Sequence, residues 1–307
     1  MDHTINRRGF LKLAGMGAGV VFASRLALNP GSAMAAGYGS AGGADTNDFF
    51  FVQMSDTHWG FSGDKVNPDA KGTLQKAVAA VNALEHTPDF IFFTGDLTQT
   101  TDDPKERRRR MAEFKDIVSQ LKVKNVRFTP GEHDASLDFG AAYQEFFGDT
   151  HYTFEHKGIQ FIVLDNVSDP TAALGTDQLA WLKKVLDGMS RDQNIVVFTH
   201  RPLFDLYPQW DWATRDGQAA IDLLMPYNNV TVFYGHIHQE NHHMTGHIAH
   251  HSAQSLMFPL PPPGSQPKRL PVPWNPETPY KGIGFRETLA EVPEHEFSIT
   301  EFPVVKA

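Results

Sequence analysis

The sequence contains no cysteine among its 307 residues. This absence excludes disulfide bonds, thiolate metal sites, iron–sulfur clusters and a cysteine nucleophile. Basic residues are also in short supply, since 27 Lys and Arg face 36 Asp and Glu and give a formal net charge of −9. A general nucleic-acid-binding protein needs a basic face, so this balance argues against nucleic acid as a partner. The chemistry left to the chain rests on carboxylates and on its 15 histidines.

The composition is that of a folded globular protein. Hydrophobic residues make up 41% of the chain and charged residues 21%, which is enough apolar material to bury a core. A length of 307 residues fits one large domain or two small ones.

The first 35 residues have the pattern of an export signal. Residues 6–12 read Asn-Arg-Arg-Gly-Phe-Leu-Lys, an interrupted apolar stretch covers 13–27, and residues 33–35 read Ala-Met-Ala. A charged head, a short apolar middle and small residues at the end are typical of a cleaved signal peptide. The paired arginines resemble the twin-arginine signal, so we expect a signal peptide over 1–35 and the twin-arginine export machinery as a partner. A basic amphipathic helix or an uncleaved anchor is the alternative.

The rest of the chain lacks a long apolar run, so we expect no stable membrane span and a periplasmic or secreted location. Residues 36–47 are rich in Gly, Ser and Ala and are expected to form a flexible lead-in. Residues 48–307 are expected to form a single domain. Nine prolines in residues 259–279 predict a long irregular loop inside it, which could dock a partner or act as a lid or spacer.

Short apolar runs in this domain alternate with stretches whose apolar residues recur at helical spacing. The runs predict strands at 49–54, 90–94, 126–129, 151–155, 158–165, 195–199, 230–234 and 296–305. The helical stretches lie near 70–86, 111–121, 179–189 and 215–225. Repeated strand–helix units predict an α/β fold.

Metal-ligating residue types directly follow five of these strands. In chain order they are Asp56-Thr57-His58, Gly95-Asp96, Gly131-Glu132-His133-Asp134, His200 and Gly235-His236-Ile237-His238. Because α/β sheets place ligand sites at the carboxyl ends of their strands, we expect these side chains to converge. Carboxylate and imidazole ligands suit manganese, iron or zinc. The three glycines would let the backbone approach the ions closely.

This ordered set resembles the calcineurin-like metallophosphoesterase family, whose pattern is Asp-x-His, Gly-Asp, Gly-Asn-His-Asp/Glu, His and Gly-His-x-His. The resemblance covers roughly residues 48–260. Within the family the chain is most similar to the bacterial cyclic-nucleotide phosphodiesterase branch, through Leu164-Asp165 and the segment Gly175…Gln178-Leu179-Ala180-Trp181-Leu182. The resemblance implies a four-layer α/β/β/α sandwich that hydrolyses a small-molecule phosphoester, either a diester or a monoester.

The resemblance also implies a role for each matched residue. Seven side chains would bind two metal ions: Asp56, His58 and His238 one ion, His200, His236 and Glu132 the other, and Asp96 both. His133 would contact the scissile phosphate or protonate the leaving group, and Asp134 would orient its ring. Ions about 3.5–4 Å apart would activate a bridging hydroxide for in-line attack on phosphorus.

Glu132 departs from the family pattern, which has Asn at this position. Glutamate keeps a ligand oxygen but adds a negative charge and removes an amide donor. Two aspartates and a hydroxide bring three negative charges, and two divalent ions bring four positive ones, so the centre would carry one net positive charge. An ionised Glu132 makes the centre neutral. We favour trivalent iron in one site; a proton shared with Glu132 and weak anion binding are the alternatives. A metal-binding pseudoenzyme or a periplasmic metal carrier without turnover is the alternative function.

Other side chains close to the ligands in sequence are candidates for substrate binding. Arg201 follows His200 and could donate to phosphate, or form a surface ion pair. Several aromatic side chains follow ligand positions, namely Trp59, Phe61, Phe204, Tyr207, Trp210 and Trp212. They could stack on a nucleobase or cover an apolar leaving group, or merely pack their loops. A further group, His242, His243, His247, His250 and His251, is either an accessory metal site or a set of exposed and hydrogen-bonded residues.

Overall fold

A computed structural model of the chain describes residues 20–23 and 47–305. The described strands are β1 (Val20–Ala23), β2 (Phe49–Met54), β3 (Phe90–Thr94), β4 (Val126–Thr129), β5 (Tyr152–His156), β6 (Ile159–Val163), β7 (Asn194–Phe198), β8 (Asn229–Tyr234), β9 (Asn241–Thr245), β10 (Ile248–Ser252), β11 (Gly284–Glu291) and β12 (Glu296–Pro303). The described helices are α1 (Thr73–Asn82), α2 (Pro104–Val118), α3 (Glu132–Ala135), α4 (Ala141–Phe147), α5 (Gly175–Asp187) and α6 (Gly217–Leu224), with a 3₁₀ turn at Pro208–Trp210.

The strands form two six-stranded sheets. The first has the order β1-β12-β11-β2-β3-β4, and the second has the order β5-β6-β7-β8-β10-β9. Strands β2, β3 and β4 are parallel, as are β6, β7, β8 and β10. Each sheet therefore gathers the carboxyl ends of its central strands at one edge, where loops can bring polar side chains together.

Phenylalanine fills the space between the two sheets. The ring of Phe51 on β2 lies 5.8 Å from Phe198 on β7 and 5.5 Å from Phe233 on β8, both in edge-to-face contact. Such pairs add about 0.5–1.5 kcal/mol to the stabilisation from burial. Helices α1 and α2 pack on the outer face of the first sheet, and α5 and α6 cover the second. The predicted α/β/β/α sandwich is confirmed.

The strands and helices predicted from apolar periodicity are present, with ends that shift by a few residues. The hairpin β9–β10 and strand β11 were not predicted, because they lack long apolar runs. His250 and His251 are buried on β10, and Arg286 and Glu287 are buried on β11. Residues 253–283 contain no helix or strand.

The predicted export signal and lead-in lie mostly outside the described residues. Val20–Ala23 is the described part of residues 1–35, and it pairs antiparallel with β12. Within the described part of the chain, no helix has the length and apolar character that a membrane crossing requires.

Candidate metal centre

The structure brings all seven predicted metal ligands together in two groups. One group is Asp56, His58, Asp96 and His238, and the other is Asp96, Glu132, His200 and His236. Within each group the potential ligand atoms lie within 4.8 Å of one another, and Asp96 belongs to both. Four ligands, Asp56, Asp96, His200 and His236, stand two residues after β2, β3, β7 and β8 respectively. The centre therefore joins the carboxyl ends of strands from both sheets.

Five of the seven ligands have a left-handed backbone. They are Asp56 (φ 53°), His58 (41°), Asp96 (48°), His236 (66°) and His238 (54°). Aspartate and histidine are found in this conformation more often than most residues, but it still costs about 1–3 kcal/mol per residue. Hydrogen bonds between the loops hold it, from Asp56 N–H to Gly95 O at 3.0 Å and from His58 N–H to Asp96 O at 2.9 Å.

Two glycines let the loops approach closely enough to form the centre. A Cβ atom at Gly131 would lie 2.1 Å from the amide nitrogen and from Oδ1 of Asp96. A Cβ atom at Gly235 would lie 2.1 Å from Oγ of Ser55, which donates a hydrogen bond to Asp56. Any side chain at either position would displace a ligand carboxylate.

Backbone carbonyls fix the orientation of three of the ligand histidines. Nδ1 of His200 lies 2.6 Å from Thr94 O, and Nδ1 of His238 lies 2.7 Å from Phe258 O. His236 uses its other ring nitrogen, and its Nε2 lies 3.0 Å from Asp211 O. A nitrogen that donates to a carbonyl leaves the opposite nitrogen with a lone pair for a metal ion.

Buried polar atoms around Glu132 have no hydrogen bond within the described residues. Oε2 of Glu132 lies 2.9 Å from Nε2 of His200, and Oε1 lies 2.9 Å from Nδ1 of His236. Even so, Glu132 Oε2, His200 Nε2 and His236 Nδ1 are all buried without a hydrogen-bond partner among the described residues. Atoms that converge without hydrogen-bond geometry are expected where a cation binds between them. The donor set therefore fits a pair of metal ions.

Burial and neighbouring charges shift the pKa of several ligands. Burial opposes the charge of Glu132, but His236 and His200 hold the pKa of its carboxyl well below the usual range. Burial lowers the pKa of His58 to about 3 and also lowers that of His236. His200 differs: burial disfavours its charge, but Asp96 and Glu132 raise its pKa well above the usual value. Metal binding would have to displace this proton.

His133 lies beside both groups with its ring directed at them. Its Nε2 is 4.0 Å from Oδ2 of Asp96, and its ring centre is 4.7 Å from that of His58. The backbone N–H of Thr100 donates to Nδ1 of His133 at 3.2 Å. Because Nδ1 accepts, the neutral ring carries its proton on Nε2 and presents an N–H donor toward the ligand groups.

Contrary to the expectation from the sequence, Asp134 does not orient the ring of His133 by direct contact. Its carboxylate accepts hydrogen bonds from the backbone N–H groups of Leu97, Thr98 and Gly131 at 2.8–3.0 Å. Burial and the nearby Asp96 raise the pKa of Asp134 to about 6, against the effect of these three bonds. Asp134 thus joins the loop that carries Asp96 to the loop that carries His133, and the orienting contact comes from Thr100.

Metal ligands from both groups and His133 together line a cavity, and Arg201 lies outside it. Arg201 is buried, its Nε donates to Ala213 O at 3.1 Å, and its Nη2 contacts Oδ1 of Asp211 at 2.5 Å. The carbonyl of Asp211 is also the acceptor for His236. Of the two expectations for Arg201, contact with phosphate is not what the structure shows, whereas the ion pair is present, with Asp211. Through Asp211, Arg201 also supports a metal ligand.

The predicted aromatic residues divide into two sets. Trp59 donates from Nε1 to Glu113, and Tyr207 and Trp210 pack with Trp212 in the core beside α6, so none of the three lines the cavity. Phe61 does line it, together with Phe258, whose ring lies 4.6 Å from that of His238. Trp59, Tyr207 and Trp210 therefore have the packing role that the sequence had offered as the alternative.

Sequence reasoning missed five residues that line the cavity beside the ligands. They are Gln99, Phe258, Leu260, Arg269 and Pro271. All of them except Gln99 come from the proline-rich segment or the residue just before it. Composition indicated an irregular loop there, but nothing in the sequence indicated which of its side chains would face the metal ligands.

The second histidine group does not form a further metal-ligand cluster within the described residues. His243 stacks on Phe204 with ring centres 3.9 Å apart, and Nδ1 of His242 lies 2.8 Å from Nδ1 of His251. These histidines serve as strand and packing residues of the β9–β10 hairpin.

Comparison with known proteins agrees with this architecture. The family model for calcineurin-like phosphoesterases matches residues 51–240. The chain is 28% identical over 164 residues to a probable glycerophosphodiester phosphodiesterase from Arcobacter nitrofigilis, covering 49% of this chain and 56% of that protein. It is 28% identical over 205 residues to a probable cyclic nucleotide phosphodiesterase from Rhodococcus erythropolis, covering 62% of this chain and 64% of that protein. Each match thus spans less than two thirds of the relative's length.

A solved structure with the same fold is a purple acid phosphatase from yellow lupin, Lupinus luteus. It superposes with a TM-score of 0.59 at 15% identity and covers 84% of this chain and 52% of its own. At that identity the likeness concerns the fold alone. The family model, however, covers more than half of the chain and includes all seven ligand positions. The chain therefore belongs to the calcineurin-like phosphoesterases, a family of metal-dependent hydrolases of phosphoric esters.

Proposed function

We propose that this chain hydrolyses phosphodiesters at a pair of metal ions held by the seven converging ligands. The observation that carries the proposal is Asp96, whose carboxylate is shared by two complete ligand groups. Asp56, His58 and His238 would complete the first site, and Glu132, His200 and His236 the second. Bound ions would supply acidification of water and neutralisation of phosphoryl charge.

The residues around the ligands account for the remaining requirements of hydrolysis. His133 would donate a hydrogen bond from Nε2–H to the leaving-group oxygen and stabilise the negative charge that develops there, since the Thr100 amide keeps that proton on the side of the ligands. The leaving oxygen would then take its proton from water. Asp134 would hold His133 and Asp96 in register through the two loops that it joins. Phe61 and Phe258 would bind the apolar part of the ester and exclude water.

For a given pair of metal ions, the charge of the ligand set favours diesters over monoesters. Asp56, Asp96 and Glu132 place three carboxylates in the ligand set, one more than the family pattern with Asn. A phosphodiester carries one negative charge, whereas a monoester carries up to two near neutral pH, so the extra carboxylate opposes the monoester more strongly. The two relatives named above are described as probable phosphodiesterases, and cyclic nucleotides are diesters of the class that we propose. Two further relatives are named serine/threonine-protein phosphatases, whose substrates are monoesters, so the diester preference rests on the charge argument.

Manganese, iron and zinc are the metal ions that we propose, with trivalent iron in the site that contains Glu132. Carboxylate and imidazole ligands suit all three, and the additional negative charge of Glu132 stabilises a trivalent ion most. Elemental analysis and Mössbauer spectroscopy of the native protein test this assignment. Iron with the isomer shift of high-spin Fe(III) would support it, and two divalent ions would refute it.

A direct assay tests the proposed activity. The metal-loaded chain, prepared separately with manganese, iron and zinc, is given a generic aryl phosphodiester and the matching aryl phosphomonoester. We expect turnover that requires metal and a kcat/KM for the diester at least about tenfold above that for the monoester. A preference for the monoester would refute the diester assignment. Complete inactivity with both metal ions bound would favour the alternative of a metal-binding pseudoenzyme.

We propose in addition that the protein is exported to the periplasm or secreted. This proposal rests on the sequence of residues 6–12 and not on the structure. Fractionation of cells that express the chain tests it, with Arg7→Lys and Arg8→Lys combined in one variant. The wild type is expected outside the cytoplasm and the variant inside it. An equal distribution of the two would contradict twin-arginine export.

A further inference from the structure

Arg269 lies at the metal-ligand groups although it belongs to none of the family motifs. Its Nη1 is 3.2 Å from Nε2 of His236, and it lines the same cavity as Asp96, Glu132 and His133. Among the described residues that line this cavity it is the only lysine or arginine. The side chain therefore brings one permanent positive charge to the place where a phosphoryl group would bind.

The guanidinium of Arg269 has little to bind in the protein itself. Arg201 and Arg286 are paired with carboxylates. The Arg269 side chain, by contrast, makes a single polar contact within residues 47–305, the one with His236. Nε2 of His236 also faces the carbonyl of Asp211 and must carry the ring proton if Nδ1 is to bind a metal ion. A protonated Nε2 cannot accept a hydrogen bond from Arg269, so the guanidinium donors remain available to an anion.

The loop around Arg269 is tied to the domain on its carboxyl-terminal side. The backbone N–H of Val272 donates to Pro259 O at 3.0 Å, and that of Trp274 donates to Lys65 O at 2.9 Å. Prolines in this segment further restrict the backbone. A side chain on such a segment loses less entropy when it binds a ligand than one on an unrestrained loop.

From these contacts we infer that Arg269 binds the phosphoryl group of the substrate and offsets the charge that Glu132 adds. This inference rests on the proposed function, because it assigns a residue to the same site. An Asn at position 132 would offer an amide donor and no charge. The structure has a carboxylate there, and Arg269 supplies one positive charge together with paired N–H donors that match two phosphoryl oxygens.

Binding of inorganic phosphate to the metal-loaded full chain tests the inference by isothermal titration calorimetry. Arg269→Gln is expected to weaken phosphate binding by about tenfold to a hundredfold, the effect of losing a charge-assisted hydrogen bond. Lys268→Gln is the matched control, because Lys268 is exposed on the same loop, does not line the cavity and carries the same charge. Elemental analysis should find two ions in every variant. Equal phosphate affinity of the two variants, or loss of an ion from Arg269→Gln, would overturn the inference.

The link to Glu132 is tested by repeating both measurements in a Glu132→Asn background. There Arg269→Gln is expected to weaken phosphate binding several-fold less than in the wild type, because Asn supplies a donor and removes a charge. The same loss in both backgrounds would refute the compensation. A chain that binds phosphate through Arg269 but hydrolyses no ester would refute the proposed function alone. Hydrolysis that is indifferent to Arg269 would refute this inference alone.

Discussion

Replacing Asp96 with Asn is expected to lower the metal content from two ions per chain to less than one. Oδ2 of Asp96 lies 3.5 Å from Nε2 of His58 and 3.4 Å from Nε2 of His200, so one oxygen atom faces both ligand groups. Asparagine removes the charge and makes one of the two oxygens a nitrogen. Mutation of a residue that only hydrogen-bonds a metal ligand lowers metal affinity or activity by about 10- to 100-fold. Because Asp96 is itself a ligand, we expect activity to fall by more than about a hundredfold.

The control for this variant is Asp177→Asn, which makes the same chemical change on the exposed face of α5. Metal content is measured by elemental analysis after dialysis against metal-free buffer, and activity is measured with the aryl diester. The control should retain two ions and full activity. If Asp96→Asn lost one ion and kept the other tightly bound, Asp96 would be a ligand of one site and not a bridge.

Replacing His133 with Ala is expected to leave both ions in place and to slow turnover. His133 is not a member of either ligand group, and its Nε2 proton faces the centre because Thr100 N–H donates to Nδ1. Loss of one hydrogen-bond donor placed at developing negative charge costs about 10²–10³-fold. We therefore expect a loss in kcat of this size for a diester with an alkyl leaving group.

The leaving group separates stabilisation of the leaving oxygen from a structural role. An aryl leaving group departs without much help from a hydrogen bond, so His133→Ala should be slowed far less with an aryl diester than with an alkyl diester. A uniform loss with both substrates would indicate that His133 holds the phosphate or the loop rather than stabilising the leaving oxygen. Unchanged activity with both would remove His133 from the mechanism.

The ligands could be predicted from the sequence because their positions follow from local rules. Asp56, Asp96, His200 and His236 each stand two residues past a buried apolar strand, and parallel strands end at the same edge of a sheet. Apolar runs reveal such strands without knowledge of the tertiary structure. The four-layer arrangement itself did not follow from periodicity, and it came from the resemblance to the family.

The roles of Asp134 and Arg201 could not be predicted, because they depend on contacts between distant parts of the chain. Asp134 stands next to His133 in sequence, yet its carboxylate accepts from the amides of Leu97 and Thr98 on another loop. Arg201 stands next to His200, yet its guanidinium is directed at Asp211. Neighbours along an irregular segment can point in different directions, so adjacency to a ligand is weak support for a role at the site.

Arg269 shows the opposite failure, since the sequence offered no reason to single it out. It lies 33 residues after His236 in a segment without helical or strand periodicity. Arg269 reaches the cavity because the loop folds back toward the metal ligands, and apolar periodicity does not encode the course of such a loop. Irregular loops carry many of the residues that distinguish members of one family, while the strand ends carry the chemistry that they share.

Anomalous X-ray diffraction from crystals of the metal-loaded protein, recorded at the absorption edges of the bound metals, tests the central claim most directly. We predict two anomalous peaks about 3.5–4 Å apart, one on each side of the Asp96 carboxylate, with Glu132 bound to the peak that His200 and His236 share. A single peak, or two peaks in separate pockets that do not share Asp96, would contradict the account.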